Sequence, residues 1–337
     1  MKKIVCGILA GCLVLATATG CQKNASGKTP ITLNEVAHSI FYAPQYAAIE
    51  LGYFTEEGLD LTLVNGAGAD KVMTALLSGD ADIGFMGSEA SIYTFAQDAP
   101  DYAVNFAQLT QRAGNFLVAR QPDPSFSWQK LKGKTVLGGR AGGMPQMVFE
   151  YILKKNNINP DTDLTIDTSI DFGSTAAAFA APAFAGNTSD YTVEFEPFAT
   201  GLELEGKGYV VASLGTDSGY VPYTAYCARK SYLDAHPDII QKFTNALQKG
   251  MQYVNTHSPE EIAKTIQPQF QETPLENITA IVERYKAQDT WKDDLIFEKS
   301  SFELLQNILE EAGELTTRVP YEKLVTTEFA EKAKEAS

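Results

Sequence analysis

Ser88 stands in "GFMGSEAS" (84–91), where a short apolar run gives way to a helical pattern. A hydrolase would hold a nucleophilic serine at such a place, but that chemistry needs an activating base. The three histidines are His38, His236 and His257, and "DAHPD" and "NTHSP" set the last two in polar helix-edge contexts. Gly-Ser-Glu-Ala-Ser also departs from the G-x-S-x-G elbow. A serine before a helix is far more often an N-cap, and the amides of a first helical turn bind ligand oxygens. Ser88, with Gly87 and Glu89, is therefore read as a cap that touches ligand.

Two glycine-rich loops have the same strand-to-helix character. "NGAGAD" (65–70) contains Gly66, Gly68 and Ala69, and "GGRAGGM" (138–144) contains Gly142, Gly143 and Met144. Neither carries the Lys-Ser/Thr of a P-loop or a full dinucleotide fingerprint, so nucleotide chemistry is not supported. Close approach of backbone to a ligand is the expectation. "TVEFEP" sets Glu194 and Glu196 on one face of a strand, as a solvated edge or as a pair of acceptors for a ligand. Phe41, Tyr42, Phe172, Tyr220 and Tyr223 fall in the same loops and offer stacking surfaces to a planar ligand. No His, Cys or carboxylate cluster has metal-site spacing, and no cofactor is implied.

The elements that must position these residues alternate. "ITLNEVA", "LDLTLVNG" and "ADIGFM" read as strands, with helices at "PQYAAIELGYF", "ADKVMTALLSG" and "SEASIYTFAQ" between and after them. Such alternation predicts a mostly parallel sheet. After "AVNFAQL" and "NFLVAR" the pattern restarts at "KTVLGG", passes through "MVFEYILKKN", and adds "LTIDTSI", "YTVEF", "GYVVASL" and "YTAYCAR". Pro182 is expected to kink or end the helix "STAAAFAAPAF". From about 230 onward only helices are expected, with Ile239, Phe243, Leu247, Met251 and Val254 on one face of the longest. Two α/β units joined by crossings near 115–121 and 222–229 make a two-lobed clamp whose ligand lies at the carboxyl ends of the strands.

Length and charge agree with a soluble globular protein. The 337 residues suffice for two domains, and the net charge of −15 argues against nucleic acid, which needs a basic surface. At the N-terminus, "MKKIVCGILAGCLVLATATGC" has two lysines, an apolar run too short to span a bilayer comfortably, and small residues before Cys21. The ending "ATGC" resembles the bacterial lipobox, with Ala18 where leucine is usual. Lipidation at Cys21 after cleavage is implied. Cys6 and Cys12 leave with the signal, so Cys227 remains as a lone, buried strand thiol.

"FYAPQYAAIELGYFTEEGLDLTLV", "ALLSGDADIGF", "LKGKTV" and "EFEP" together resemble the ABC-transporter solute-binding proteins for thiamine precursors, aliphatic sulfonates, taurine and nitrate, over roughly residues 31–255. The resemblance implies a type II periplasmic-binding-protein fold, an ABC permease and its ATPase as partners, and lobes of 31–118 with 223–337 and of 119–222, after a signal peptide (1–20) and a tether (21–30). A monomer is expected, exported and held to the membrane only through lipid. The resemblance implies binding loops at His38 to Tyr42, Gly66 to Ala69, Gly87 to Glu89, Gly142 to Met144 and Glu194 to Glu196. Eukaryotic pyrimidine synthases share the family's fold but carry a cysteine-rich motif that is absent here, so no catalysis is expected. Arg112 and Arg140 are the only arginines near the expected cleft, against Glu89, Glu194 and Glu196. That balance suits a nitrogen heterocycle, such as a thiamine-pyrimidine precursor, stacked on Phe41 or Tyr42; an aliphatic sulfonate is the alternative. Cys21→Ala is expected to move the protein from the membrane fraction to the soluble exported fraction, as fractionation and immunoblotting would show. Unchanged attachment would contradict lipidation.

Overall fold

The structure, a computed structural model, describes residues 27–170, 172–181 and 188–337. The signal segment, Cys21, most of the tether, Pro182 and the Phe172 side chain lie outside the described residues. Among those described, no helix is long and apolar enough to cross a membrane.

Two five-stranded sheets form the two lobes. In the first, β1 (Thr29–Glu35) is flanked in parallel by β2 (Leu59–Asn65) and β3 (Ile83–Gly87); β10 (Thr224–Arg229) then runs antiparallel between β3 and β4 (Ala103–Thr110). The second repeats this plan. There β6 (Thr135–Leu137) lies between β7 (Thr165–Asp167) and β8 (Tyr191–Glu194), and β5 (Phe116–Ala119) runs antiparallel between β8 and β9 (Tyr209–Ser213). This is the two-lobed α/β plan expected from the alternation. Every residue of β3 and β4 is buried, as strands covered on both faces must be.

The chain passes between the sheets at residues 111–115 and 214–223, slightly before the segments named from the sequence. The reason is geometric. The parallel strands end at the cleft, so a chain leaving one sheet enters the other from the cleft side and must run against its parallel strands. β5 and β10 are those entering strands, and much of the two expected crossings is therefore sheet.

Helices α1 (Ala43–Glu50), α2 (Tyr53–Glu56), α3 (Ala69–Ser78) and α4 (Glu89–Ala96) serve the first lobe, and α5 (Met144–Lys155) the second. The predicted stripe of the helix Pro237–Thr256 is buried, from Ile239 to Val254. Gly250 on this helix lets it lie against α1, since a Cβ there would come within 2.3 Å of the Pro44 carbonyl. The following helices tie the lobes together. Lys299–Glu311 packs on α5, yet Val325 pairs with Asn105 of β4, so the chain's end returns to the first lobe. Helix Leu275–Ala287 stands behind the crossings. Its Tyr285 hydroxyl donates to the Gly114 carbonyl at 3.0 Å, and Arg284 donates to Glu196 at 2.5 Å and Glu203 at 3.1 Å.

Removing Arg284 leaves Glu196, fully buried, without its counter-ion. Burial already raises the Glu196 pKa, with Arg284 opposing. Arg284→Met is expected to cost about 3 kcal/mol at pH 8, the scale for an orphaned buried charge. The loss should shrink toward pH 5 as Glu196 takes up a proton, and denaturant unfolding at both pH values checks this.

Candidate functional site

Between the facing strand ends lies a cavity of about 410 Å³. The first lobe contributes the loop after β1 (Val36, Ala37, His38), the loop after β2 with the start of α3 (Asn65, Ala67 to Lys71), and Gly87 and Glu89 after β3. The second contributes Arg140, Gly143, Met144 and Pro145 after β6, Gly173 after β7, and Phe195 and Phe198 after β8. Tyr223 comes from the returning crossing and Thr224 from the start of β10. Each lies in a loop at a carboxyl end of a strand, or in or next to a crossing, as an open α/β sheet requires.

Of the residues singled out from sequence, His38, Tyr42, Ala67, Gly68, Ala69, Gly87, Glu89, Arg140, Gly143, Met144 and Tyr223 line this cavity. His38 is held at both ring nitrogens. Nδ1 meets Glu35 at 2.7 Å and Nε2 meets the Gln269 carbonyl at 2.9 Å, and the Glu35 bond raises its pKa. Glu35 is itself buried and accepts from Gln45 and Tyr46 at 2.7 and 2.8 Å. The Tyr223 hydroxyl donates to Asn115 at 2.6 Å. Tyr42 is 2% exposed.

Glu89 is the acidic group of the cavity wall that is deeply buried. It is 3% exposed, and burial pushes its pKa up to about 7 against the pull of its own amide, Arg140 and the Met144 amide. Its Oε2 has no hydrogen-bond partner. Gly87 makes room for it, because a Cβ there would lie 2.2 Å from Oε2. At the rim, Arg140 faces Asp70 across the lobes at 4.0 Å, and Lys71 is exposed beside it. Four aromatic rings, Tyr42, Phe195, Phe198 and Tyr223, complete the walls.

The structure sets the other named residues outside the lining. Phe41 is fully buried, with ring centroids of Phe195, Tyr223 and Tyr285 at 5.5, 5.7 and 5.3 Å, so it joins lobes rather than stacking ligand. Gly66 is needed for packing, since a Cβ would meet Asn34 at 2.6 Å and Val72 at 2.7 Å. Ser88 holds the N-cap position of α4, but its hydroxyl makes no cap and donates to the Pro222 carbonyl at 2.9 Å. Arg112 donates to the Gly215 carbonyl at 3.1 Å and lies over the Tyr220 ring. Gly142 accepts from Tyr93 at 3.2 Å, an interlobe contact.

Glu194 and Glu196 need the largest correction. Strand alternation turns Glu194 under the helix Thr175–Ala180, where Thr192 donates to it at 2.5 Å and burial raises its pKa to about 8. The same alternation presents Phe195 to the cleft. Glu196 lies past the strand end, accepting from Thr200 and pairing with Arg284. Phe195 and Phe198 went unnamed in the sequence, although the alternation of "TVEFEP" points to the first of them.

A sequence profile described as NMT1/THI5 like matches residues 40–262. The chain belongs to the NMT1/THI5-like family. It is 46% identical over 322 residues to the "Putative binding protein YtlA" of Bacillus subtilis (strain 168), covering 96% of this chain and 95% of that one. A more distant relative, 4-amino-5-hydroxymethyl-2-methylpyrimidine phosphate synthase of Aspergillus parasiticus, is 22% identical over 220 residues, 64% of this chain and 63% of that protein. The chain spans about two thirds of that enzyme. Among solved structures, the alkanesulfonate-binding protein SsuA from Xanthomonas axonopodis pv. citri bound to MOPS superposes with a TM-score of 0.69 at 18% identity, over 88% of this chain and 98% of the other. This member of the NMT1/THI5-like family thus has the periplasmic-binding-protein fold.

The raised Glu89 carboxyl has a consequence for stability. Its ordinary value is 4.5, so between pH 4.5 and about 7 the folded protein holds a proton that the unfolded chain has lost. Stability contributed by this group therefore falls as pH rises through that window. Glu89→Gln is expected to raise the melting temperature of the ligand-free protein at pH 8 by several degrees and to change it little at pH 4.5. A melting series from pH 4.5 to 8 in both proteins checks the sign.

Proposed function

We propose that this protein is the extracytoplasmic receptor of an ABC importer. It closes its two lobes on a small nitrogen-heteroaromatic solute and passes it to a permease and ATPase without altering it. The observation that carries this reading is the cleft itself: four aromatic rings surround a buried carboxylate whose Oε2 has no partner. Planar rings stack on aromatic faces, and a carboxylate accepts from amino or ring N–H groups. Family membership and similarity to a binding protein over nearly the whole chain support a receptor.

Two placements favour binding over catalysis. The Ser88 hydroxyl is committed to Pro222, and His38 has both nitrogens engaged by Glu35 and Gln269. Neither is free to abstract a proton from a bound molecule. We further propose that the mature chain is a lipid-anchored monomer on the outer face of the cytoplasmic membrane, consistent with the lipobox-like "ATGC".

A sulfonate is the second reading, favoured by Arg140 and Lys71 in the cavity lining. Titration calorimetry with an aminopyrimidine, riboflavin, taurine and an alkanesulfonate separates the two. One heteroaromatic compound is expected to bind and to raise the melting temperature through mass action. Binding of the sulfonates alone would overturn the heteroaromatic reading. Appearance of a new product on incubation would overturn the receptor reading.

A further inference from the structure

The N-terminus of α5 opens onto the cleft, with Gly143, Met144 and Pro145 in the cavity lining. No side chain of its own lobe caps it, and the cap residue is Gly143. A twelve-residue helix presents the Met144 amide and the positive end of its dipole there, although Pro145 adds no N–H, and this favours an anion. The carboxylate that faces the Met144 amide belongs to Glu89, from the opposite lobe.

We propose that Glu89 is a built-in anion that occupies the field of the α5 N-terminus and makes this receptor reject small oxyanions. The inference rests on the receptor reading above and names the residue that sets its selectivity. Three observations support it. Glu89 is 3% exposed in the wall of the cavity, and its buried Oε2 has no hydrogen-bond partner, so its charge lies against the cleft without full compensation. The carboxylate is folded back over Gly87, where only a glycine leaves room. The rim cation that would recruit an anion, Arg140, already faces Asp70 at 4.0 Å and also acts on Glu89.

A second anion brought to the same helix end would lie against a carboxylate in a site poor in water, where like charges repel strongly. A ligand with N–H donors or positive charge meets the opposite situation, because the Glu89 carboxylate attracts it. The other groups around Glu89 are the hydroxyls of Tyr42, Tyr93 and Tyr223, and Lys71 and His38 line the same cavity. The tyrosines stay neutral, since burial raises each of their pKa values above 10. His38 is a further cleft group whose protonation would favour anions, and its bond to Glu35 raises its pKa above the usual histidine value.

The test titrates ethanesulfonate and nitrate into the wild type, Glu89→Gln and Glu89→Ala at pH 8 by calorimetry. Weak or no binding is expected for the wild type. Affinity is expected to rise at least tenfold in Glu89→Ala, which removes charge and bulk, and by less in Glu89→Gln. Lowering the pH to 5.5 protonates a carboxyl poised at about 7 and should bring the wild type the same gain. A smaller pH effect left in Glu89→Ala belongs to His38. Near-ultraviolet circular dichroism checks that the variants are folded, and the wild-type pH series decides if they are not. Tight binding of either anion by the wild type at pH 8 would overturn the assignment while leaving a receptor, now for anions. An absence of gain in both folded variants and at low pH would overturn it too. If the variants gain anions but no heteroaromatic compound binds the wild type, the role of Glu89 stands and the proposed ligand falls.

Discussion

Phe41 is the point at which the two lobes and the C-terminal helices are held to one another. It is fully buried, and its ring meets Tyr42 of its own loop, Phe195 of the second lobe, Tyr223 of the returning crossing and Tyr285 of the helix behind the hinge. The outgoing crossing lies directly against this ring, because a Cβ on Gly114 would fall 2.6 Å from it. Trp291 from the C-terminal region donates to the Phe41 carbonyl at 2.9 Å. Both crossings and the helix behind them therefore pack against a single aromatic side chain. Most buried apolar residues of both lobes form one continuous cluster that includes Phe41, and a smaller one lies around Val72 and Leu76 of α3.

That packing sets what the cleft offers. With Phe41 beneath them, Tyr42, Phe195 and Tyr223 lie together where the strands of both sheets end, and the cavity inherits aromatic walls from the hinge core. Polar groups enter only from the loops, and most are already engaged. Glu35 holds His38, Gln45 and Tyr46, and Arg140 faces Asp70. Glu89 Oε2 is left without a hydrogen-bond partner within the described chain. Buried polar groups are costly to leave unsatisfied, so such atoms in a cavity wall are where a ligand gains most. Burial accounts for the raised carboxyl of Glu89, and a ligand that donates to it would pull that pKa back down.

Much of this was readable along the chain. Alternation of strand and helix patterns indicated two α/β units, and most of the named elements fall where their apolar periodicity placed them, from "ITLNEVA" to "YTAYCAR". The loops of the cleft were also legible, because a glycine-rich or capped turn at a strand's carboxyl end is a local property. Within those loops the choice of side chain was less secure. "TVEFEP" shows why: period-two alternation says that Glu194 and Glu196 point together, but not which face of β8 the lobe covers. The helix Thr175–Ala180 covers the face of Glu194, and so the cleft receives Phe195.

Local order in this protein, its strands, helices and turn loops, follows from side-chain periodicity and from glycine and proline positions, and the sequence by itself determined these. Partnership was decided only in three dimensions. Phe41 became a fulcrum rather than a stacking surface because Gly114, 73 residues away, lets the crossing touch its ring. Arg284 lies 88 residues from Glu196 and takes it out of the cleft. Pro222 takes the hydroxyl of Ser88 from 134 residues away. A hydrogen bond or ring contact acts over a few ångströms of space whatever the separation in sequence, so whether a polar group is spent or left for ligand is a property of the tertiary structure.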